Sequence, residues 1–350
     1  MPSPLDPIGP PSVETAAGRA TMKDVADRVG VSRQLVSLVL RDLPGASPTT
    51  RQRVREAASE LGYYPDTSAR TLRGRRSFQL GVVFTMHEPF EVDLVEALLT
   101  EAAERGYSLV LGPLTAARPE RLVVPQLMGQ RIEGLIVLAA DGGSSSVSDL
   151  PERIPIVQLG GPRSKGPVDD VRVDDEAGIA LLVDHLVSLG HTAIAHATGG
   201  SGPNARARVE AYEAAMRRSG LLPDVVESAY TEEAGSHAAE VLLTRSELPT
   251  AVLAANDRCA SGVLLTLVSR GVAVPADISV VGFDDSSVAR LPFVQLTTVR
   301  HDPVRLASEA LDSITARIED PTRPTVAHRD APSLVVRRSS GPARAGGASA

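Results

Sequence analysis

One cysteine, Cys259, occurs in 350 residues, so no internal disulfide can form, and its neighbours Asn256, Asp257 and Arg258 supply no metal-ligand spacing. A small apolar side chain on a helix face is the reading that fits it best. No run of 18 apolar residues is present, and residues 1–20 (MPSPLDPIGPPSVETAAGRA) lack the basic start and apolar centre of a secretory signal. Neither a membrane span nor export is expected; the segment reads as a disordered Pro-rich leader on a cytoplasmic protein. Also missing are a G-x-G-x-x-G or G-x-x-x-x-G-K-S/T phosphate cradle after a strand, a nucleophile elbow and histidines at metal spacing. Catalysis, a metal and a cofactor are therefore not expected.

The net charge of -7 hides an asymmetry. Residues 21–77 hold 11 Lys/Arg against 6 Asp/Glu, whereas residues 78–350 hold 24 against 35. A short basic module attached to a large acidic one is the distribution expected when only the first part meets phosphate. A chain of this length also exceeds one ordinary domain and has the apolar content for two or three buried units.

The basic module carries helix punctuation. Thr21 followed by Asp24 has the form of a capping box opening a helix with Val25, Ala26 and Val29 inward, and Gly30 allows a sharp stop. Ser32 then caps a second helix with Val36, Val39 and Leu40 inward. Ser47-Pro48, an N-cap before an N1 proline, opens a third with Val54, Ala57, Ala58 and Leu61 inward and Gly62 ending it. In such a helix-turn-helix the second helix enters the major groove, which directs Arg33, Gln34 and Ser37 to base edges and phosphates. Arg51, Arg53 and Arg55 are equally compatible with solvent and with phosphate.

These residues resemble the DNA-binding segment and hinge of the LacI/GalR repressor family. The matching elements are Asp24-Val25-Ala26, Gly30-Val31-Ser32, Val36-Ser37, Ser47 with Thr50-Arg51, Leu61-Gly62-Tyr63 with Pro65, and Ala69-Arg70-Thr71-Leu72. The resemblance implies operator DNA as partner and places Ser32, Arg33, Gln34, Ser37, Arg70, Leu72 and Arg73 at the interface. Leu72 holds the position of a hinge leucine that wedges into the minor groove, where an apolar side chain can unstack a base step and bend the duplex. By itself it reads equally well as an ordinary linker leucine. The implied organisation is a disordered leader at 1–20, a headpiece at 21–66, a hinge at 67–77, a two-lobed ligand-binding and dimerisation domain at 78–338 and a disordered tail at 339–350.

From residue 78 onward, strand-like apolar runs (80–85, 108–111, 134–139, 156–160, 193–197, 251–255, 278–283) alternate with amphipathic segments of helical length (93–105, 176–189, 205–219, 233–244, 257–270, 303–319). That alternation predicts parallel βαβ units covered on both faces. Pro125 is expected to kink or shorten a helix over 119–131. Further family-like landmarks, Arg131-Ile132-Glu133-Gly134, Ala255-Asn256-Asp257 and Val280-Val281-Gly282-Phe283-Asp284-Asp285 among them, extend the resemblance over roughly 21–338. The fold class implied is an all-α helix-turn-helix headpiece joined by a hinge helix to an α/β core of two Rossmann-like lobes of periplasmic-binding-protein type, 78–172 with 299–325 and 173–298 with 326–338. A tail without leucine heptads points to a homodimer.

Ligands of such sheets bind beyond the carboxyl ends of strands. The resemblance carries the role of ligand carboxylate to Asp284, cleft arginine to Arg208 (near Tyr212), strand-end amide to Asn256 and ring-stacking aromatic to Tyr230. Each residue also has a plainer alternative: Asp284 as a turn cap, Arg208 as an exposed neighbour of Arg206, Tyr230 as core. Where relatives commonly have N-P-F-F, this chain reads His87-Glu88-Pro89-Phe90-Glu91, and an acidic ligand residue is missing near Gly160-Gly161-Pro162-Arg163. The expected effector is a sugar or related metabolite, with a nucleoside or no small ligand as the alternative. A solute-binding transport protein, which shares the two-lobed fold, would have an export signal and no helix-turn-helix.

Overall fold

The computed structural model describes residues 20–40, 43–63, 76–138, 150, 154–161 and 168–344. Backbone contacts divide the chain into two compact units, Met1–Arg76 and Ser77–Ala350.

In the first unit, α1 (Met22–Val29) begins with the capping box: the Thr21 hydroxyl accepts the Asp24 amide at 3.4 Å, and the Asp24 carboxylate accepts the Thr21 amide at 2.7 Å. Gly30 stops the helix at a φ of 73°, a left-handed conformation that glycine adopts without a Cβ penalty. The Ser32 hydroxyl accepts the Leu35 amide (3.2 Å) to open α2 (Arg33–Leu40), and Ser47 with Pro48 opens α3 (Pro48–Glu60). Val25, Val29, Val36, Val39, Val54 and Ala57 form the core. Leu61, expected inward, is 36% exposed instead, and Tyr63 occupies the core. The helix ends one residue earlier than the apolar period suggests, and Gly62, at φ 60°, folds the chain back so that the Tyr63 amide reaches the Ala58 carbonyl.

In the second unit, one parallel sheet is ordered β11-β5-β4-β3-β1-β2 and a second β7-β6-β8-β9. The strands are β1 (Gln79–Thr85), β2 (Ser108–Leu114), β3 (Gly134–Leu138), β4 (Ile156–Leu159), β5 (Asp169–Val173), β6 (Ile194–Ala197), β7 (Asp224–Val226), β8 (Ala251–Ala254), β9 (Ser279–Val281) and β11 (Ala327–Asp330). A short antiparallel ribbon pairs β10 (Thr298–Arg300) with β12 (Ser333–Val335). On the first sheet α4 (Pro89–Glu104) and α10 (Pro303–Glu319) cover one face and α5 (Glu120–Met128) the other. On the second, α6 (Asp175–Ser188) and α7 (Ala205–Arg218) cover one face and α8 (Glu232–Leu243) and α9 (Asp257–Ser269) the other. Burial on both sides explains why the strands read as continuous apolar runs; each fully buried Leu80, Ile136 or Leu253 contributes about 1.5–3 kcal/mol. Pro125 lies inside α5, which is shorter than the predicted 119–131. Cys259 is buried on α9, where burial pushes its thiol up to about 11, in keeping with an unreactive packing residue.

Two expectations need correction. Residues 327–330 belong to the first lobe, not the second: β11 pairs in parallel with β5, Ala327 opposite Asp170. A buried ion pair secures that edge, because Arg317 of α10 grips Asp169 at 2.6 and 2.8 Å while Asp169 also accepts the Val326 amide. Residues 339–344, expected to be disordered, are ordered. Ser339 runs beside β9, receiving the Val280 amide at 2.8 Å, and the Ala343 amide reaches the Leu189 carbonyl at 2.9 Å.

Candidate ligand cleft and nucleic-acid interface

Both sheets reverse their strand order next to their first strand, between β1 and β3 and between β6 and β8. At such switch points the loops beyond the carboxyl ends diverge and leave a crevice. The two crevices face each other across a cleft with a cavity volume of about 180 Å³. The first lobe contributes Thr85, Glu88, Phe90, Glu91, Leu159 and Gly160; the second contributes Asn204, Arg208, Tyr230, Asn256 and Asp284.

Arg208, on the inner face of α7, is buried and nearly surrounded. Its Nε donates to Asp175 at 2.8 Å, its Nη1 to the Ala255 carbonyl at 2.5 Å, and its Nη2 lies 3.7 Å from Asp284. The guanidinium stacks on the Phe283 ring at 3.8 Å and approaches the Tyr230 ring at 5.7 Å. Asp284 follows β9 at a φ of 112°, a strained backbone for a residue with a side chain, held by its amide donating to the Val299 carbonyl. Burial raises the Asp284 carboxyl well above its ordinary range, opposed by the Arg208 charge. Tyr230 donates its hydroxyl to the Pro203 carbonyl at 2.6 Å, and burial pushes that hydroxyl up to about 12. Its ring fills the space above Gly199 and Gly202, where any Cβ would collide with it. Asn256 caps α9, accepting the Cys259 amide at 2.8 Å and donating to the Tyr230 carbonyl at 3.3 Å.

All four ligand candidates from the sequence therefore line one cleft. Arg208 is not an exposed neighbour of Arg206, which instead pairs with Glu210 on the surface. Asn256 spends its amide on building the wall. His87 is exposed and does not line the cleft, whereas Glu88 does and is bonded to Arg258 at 2.9 Å. Sequence reasoning assigned no role to Asp175 or Glu91. The only signal for Glu91 was the loss of the second aromatic in the Pro89-Phe90-Glu91 run.

In the first unit, Ser32, Arg33 and Gln34 are exposed at the start of α2, and Ser37 is half-buried one turn later. Arg53 donates to the Val29 carbonyl at 2.9 Å and Arg51 to the Leu43 carbonyl, so both carry structural bonds within the bundle. Arg70, Leu72 and Arg73 lie outside the described residues.

Residues 21–66 match the family described as bacterial regulatory proteins, lacI family, and residues 183–340 match a periplasmic binding protein-like domain. The ribose operon repressor of Escherichia coli (strain K12) is 34% identical over 313 residues, covering 87% of this chain and 94% of the relative. A LacI transcriptional regulator from a Rhodococcus species superposes with a TM-score of 0.73 at 42% identity, over 76% of this chain and all of that one. The lac repressor dimer bound to operator and the anti-inducer ONPF gives a TM-score of 0.75 at 29% identity, over 92% of this chain and 99% of that one. Among the described residues no helix is long and apolar enough to cross a membrane.

Proposed function

The chain belongs to the lacI family of bacterial regulatory proteins, and from that premise we propose that it is a repressor whose grip on operator DNA is set by a small sugar-like effector in the interlobe cleft. Sequence-specific DNA binding is the family's activity, and its relatives are transcriptional regulators, not enzymes. In this reading Ser32, Arg33, Gln34 and Ser37 meet the major groove, while Arg70, Leu72 and Arg73 engage the adjacent backbone and minor groove. Two copies are needed because a two-fold operator presents two half-sites, and the similar lac repressor is a dimer on its operator.

The observation that carries the effector assignment is the meeting of Arg208, Asp284, Tyr230 and Glu91 from both lobes around one cavity of about 180 Å³. That volume lies below the roughly 300–1,000 Å³ of drug-sized sites and suits a compound of one or two rings. Carboxylates and a guanidinium can bind adjacent hydroxyls, and Tyr230 offers a face to a ring; one similar protein is named for the ribose operon.

The test is thermal unfolding of the full chain against neutral sugars and nucleosides, followed by operator titration with any hit. A true effector at 100 times its Kd adds about 2.7 kcal/mol of stability and changes operator affinity. A hit confined to nucleosides would replace the sugar reading, and stabilisation without any change in operator binding would reject the regulatory one.

A further inference from the structure

Glu91 lies in the first turn of α4 and is 7% exposed, in the wall of the cleft. The Thr85 amide, at the end of β1, donates to its Oε2 at 2.5 Å, and the Thr85 hydroxyl also lies within reach of the carboxyl group. A helix N-terminus and a bonded amide both favour a carboxylate. Burial outweighs them and pushes Glu91 up to about 8, with the neighbouring Glu88 charge adding to the rise. At neutral pH the group is mostly the uncharged acid.

Among the described residues, the charges around it leave no room for an anion. Arg208 already faces Asp175, the Ala255 carbonyl and Asp284. Arg258, at the cleft border, is shared by Glu88 and Glu232. His301, stacked on Phe90 and Phe283, is held neutral by burial that lowers it to about 3. Carboxyl groups thus outnumber guanidinium groups, and both of the guanidinium groups just named are already occupied.

We propose that Glu91 is a specificity-determining residue of the effector site, donating a hydrogen bond to an oxygen of an uncharged polyhydroxy ligand and excluding phosphorylated or acidic analogues. This rests on the effector reading above and narrows it to a charge class. Among the described residues, a ligand phosphate would meet Glu91 and Asp284 without a free cation and would have to displace a carboxylate from Arg208. A ligand hydroxyl or ring oxygen accepts from the Glu91 acid with no charge to desolvate.

The experiment is calorimetric titration of the full chain with D-ribose, D-galactose, cellobiose and adenosine, and with ribose 5-phosphate, galactose 6-phosphate and AMP, from pH 6 to pH 9. A neutral compound is expected to bind at least a hundredfold more tightly than its phosphate. Its affinity should fall about tenfold between pH 7 and pH 9, as a group titrating near 8 loses its proton. Glu91→Gln keeps an acceptor for Thr85 and a donor for the ligand; it should bind at pH 7 and lose the fall toward pH 9, which separates Glu91 from Asp257 and Asp284. Glu91→Ala should lose at least tenfold at pH 7. A phosphate binding more tightly than its parent, a flat wild-type profile, or Glu91→Ala with wild-type affinity would each overturn this assignment while leaving the effector reading intact. If no neutral compound binds the wild-type chain, the effector reading falls and takes this one with it.

Discussion

Glu88, in the loop that opens α4 of the first lobe, bonds Arg258 on α9 of the second at 2.9 Å, and the same guanidinium holds Glu232 at the start of α8 through three contacts. Arg290 and Asp93 make a second, more exposed crossing at 3.5 Å. The lobes are therefore tied together beside the cleft by charge. In a double-mutant cycle of Glu88→Gln with Arg258→Met, read by urea unfolding, the coupling should be about 0.5–1 kcal/mol, because the pair is partly hydrated and Glu232 competes for the same cation. It should shrink in high salt. Zero coupling at low salt would show that the lobes are not held there.

Helices α8 and α9 touch backbone to backbone. A Cβ on Gly235 would fall on the Cys259 carbonyl oxygen, and one on Gly262 on the Glu232 carbonyl oxygen. Glycine to alanine inside a helix ordinarily stabilises by roughly 0.5–1 kcal/mol. Here the obstacle is main chain that cannot rotate away, so Gly235→Ala and Gly262→Ala should each destabilise by about 1–3 kcal/mol. Denaturation midpoints at or above wild type would contradict the close approach.

His301 stacks between Phe90 and Phe283 at centroid distances of 5.7 and 5.0 Å, and neither ring nitrogen has a hydrogen-bond partner among the described residues. Burial lowers it to about 3 from an ordinary 6.5. The unfolded chain takes up a proton below 6.5 that the folded chain refuses, so this residue costs stability progressively as pH falls toward 3. Glu91 at about 8 and Asp257 at about 7 act with the opposite sign over part of that range, so the comparison must be between variants. His301→Leu should gain on wild type by about 1.4 kcal/mol for each pH unit below 6.5. A constant difference from pH 7 to pH 5 in urea unfolding would mean that His301 is protonated in the folded protein.

Arg208 and Asp284 predict different phenotypes although they share one cleft. Arg208→Ala strands Asp175 and Asp284 and removes the cation stacked on Phe283, so it should destabilise by about 3–5 kcal/mol in addition to abolishing effector binding. Asp284→Asn keeps shape and removes charge; it should fold and bind operator but lose at least tenfold in effector affinity. Operator titration against effector concentration separates the two. An Asp284→Asn protein that responds at the wild-type midpoint would make Asp284 structural.

At the exposed start of α2, Arg33 can pair two acceptors of one base. Arg33→Ala should relax preference at one position per half-site by about 1–3 kcal/mol, as read from selection on a randomised operator library. Unchanged base preferences would move the readout to Gln34 or Ser37.

The helices of the first unit and the alternating pattern of the second were legible in the chain because each depends on short-range signals, whereas the four second-lobe cleft residues were legible only through the family resemblance. Thr21 and Asp24 cap a helix whatever surrounds them, and apolar spacing marks the buried face. Tertiary structure alone decided the rest. The placement of 327–330 beside Asp170, the order of Ser339 along β9 and the bond from Glu88 to Arg258 each join residues far apart in sequence, where no local preference selects the partner. Glu91 shows the limit most clearly: a glutamate in the first turn of a helix reads as a solvated, ionised group, and only the lobe packed around it removes the water and pushes its carboxyl up to about 8.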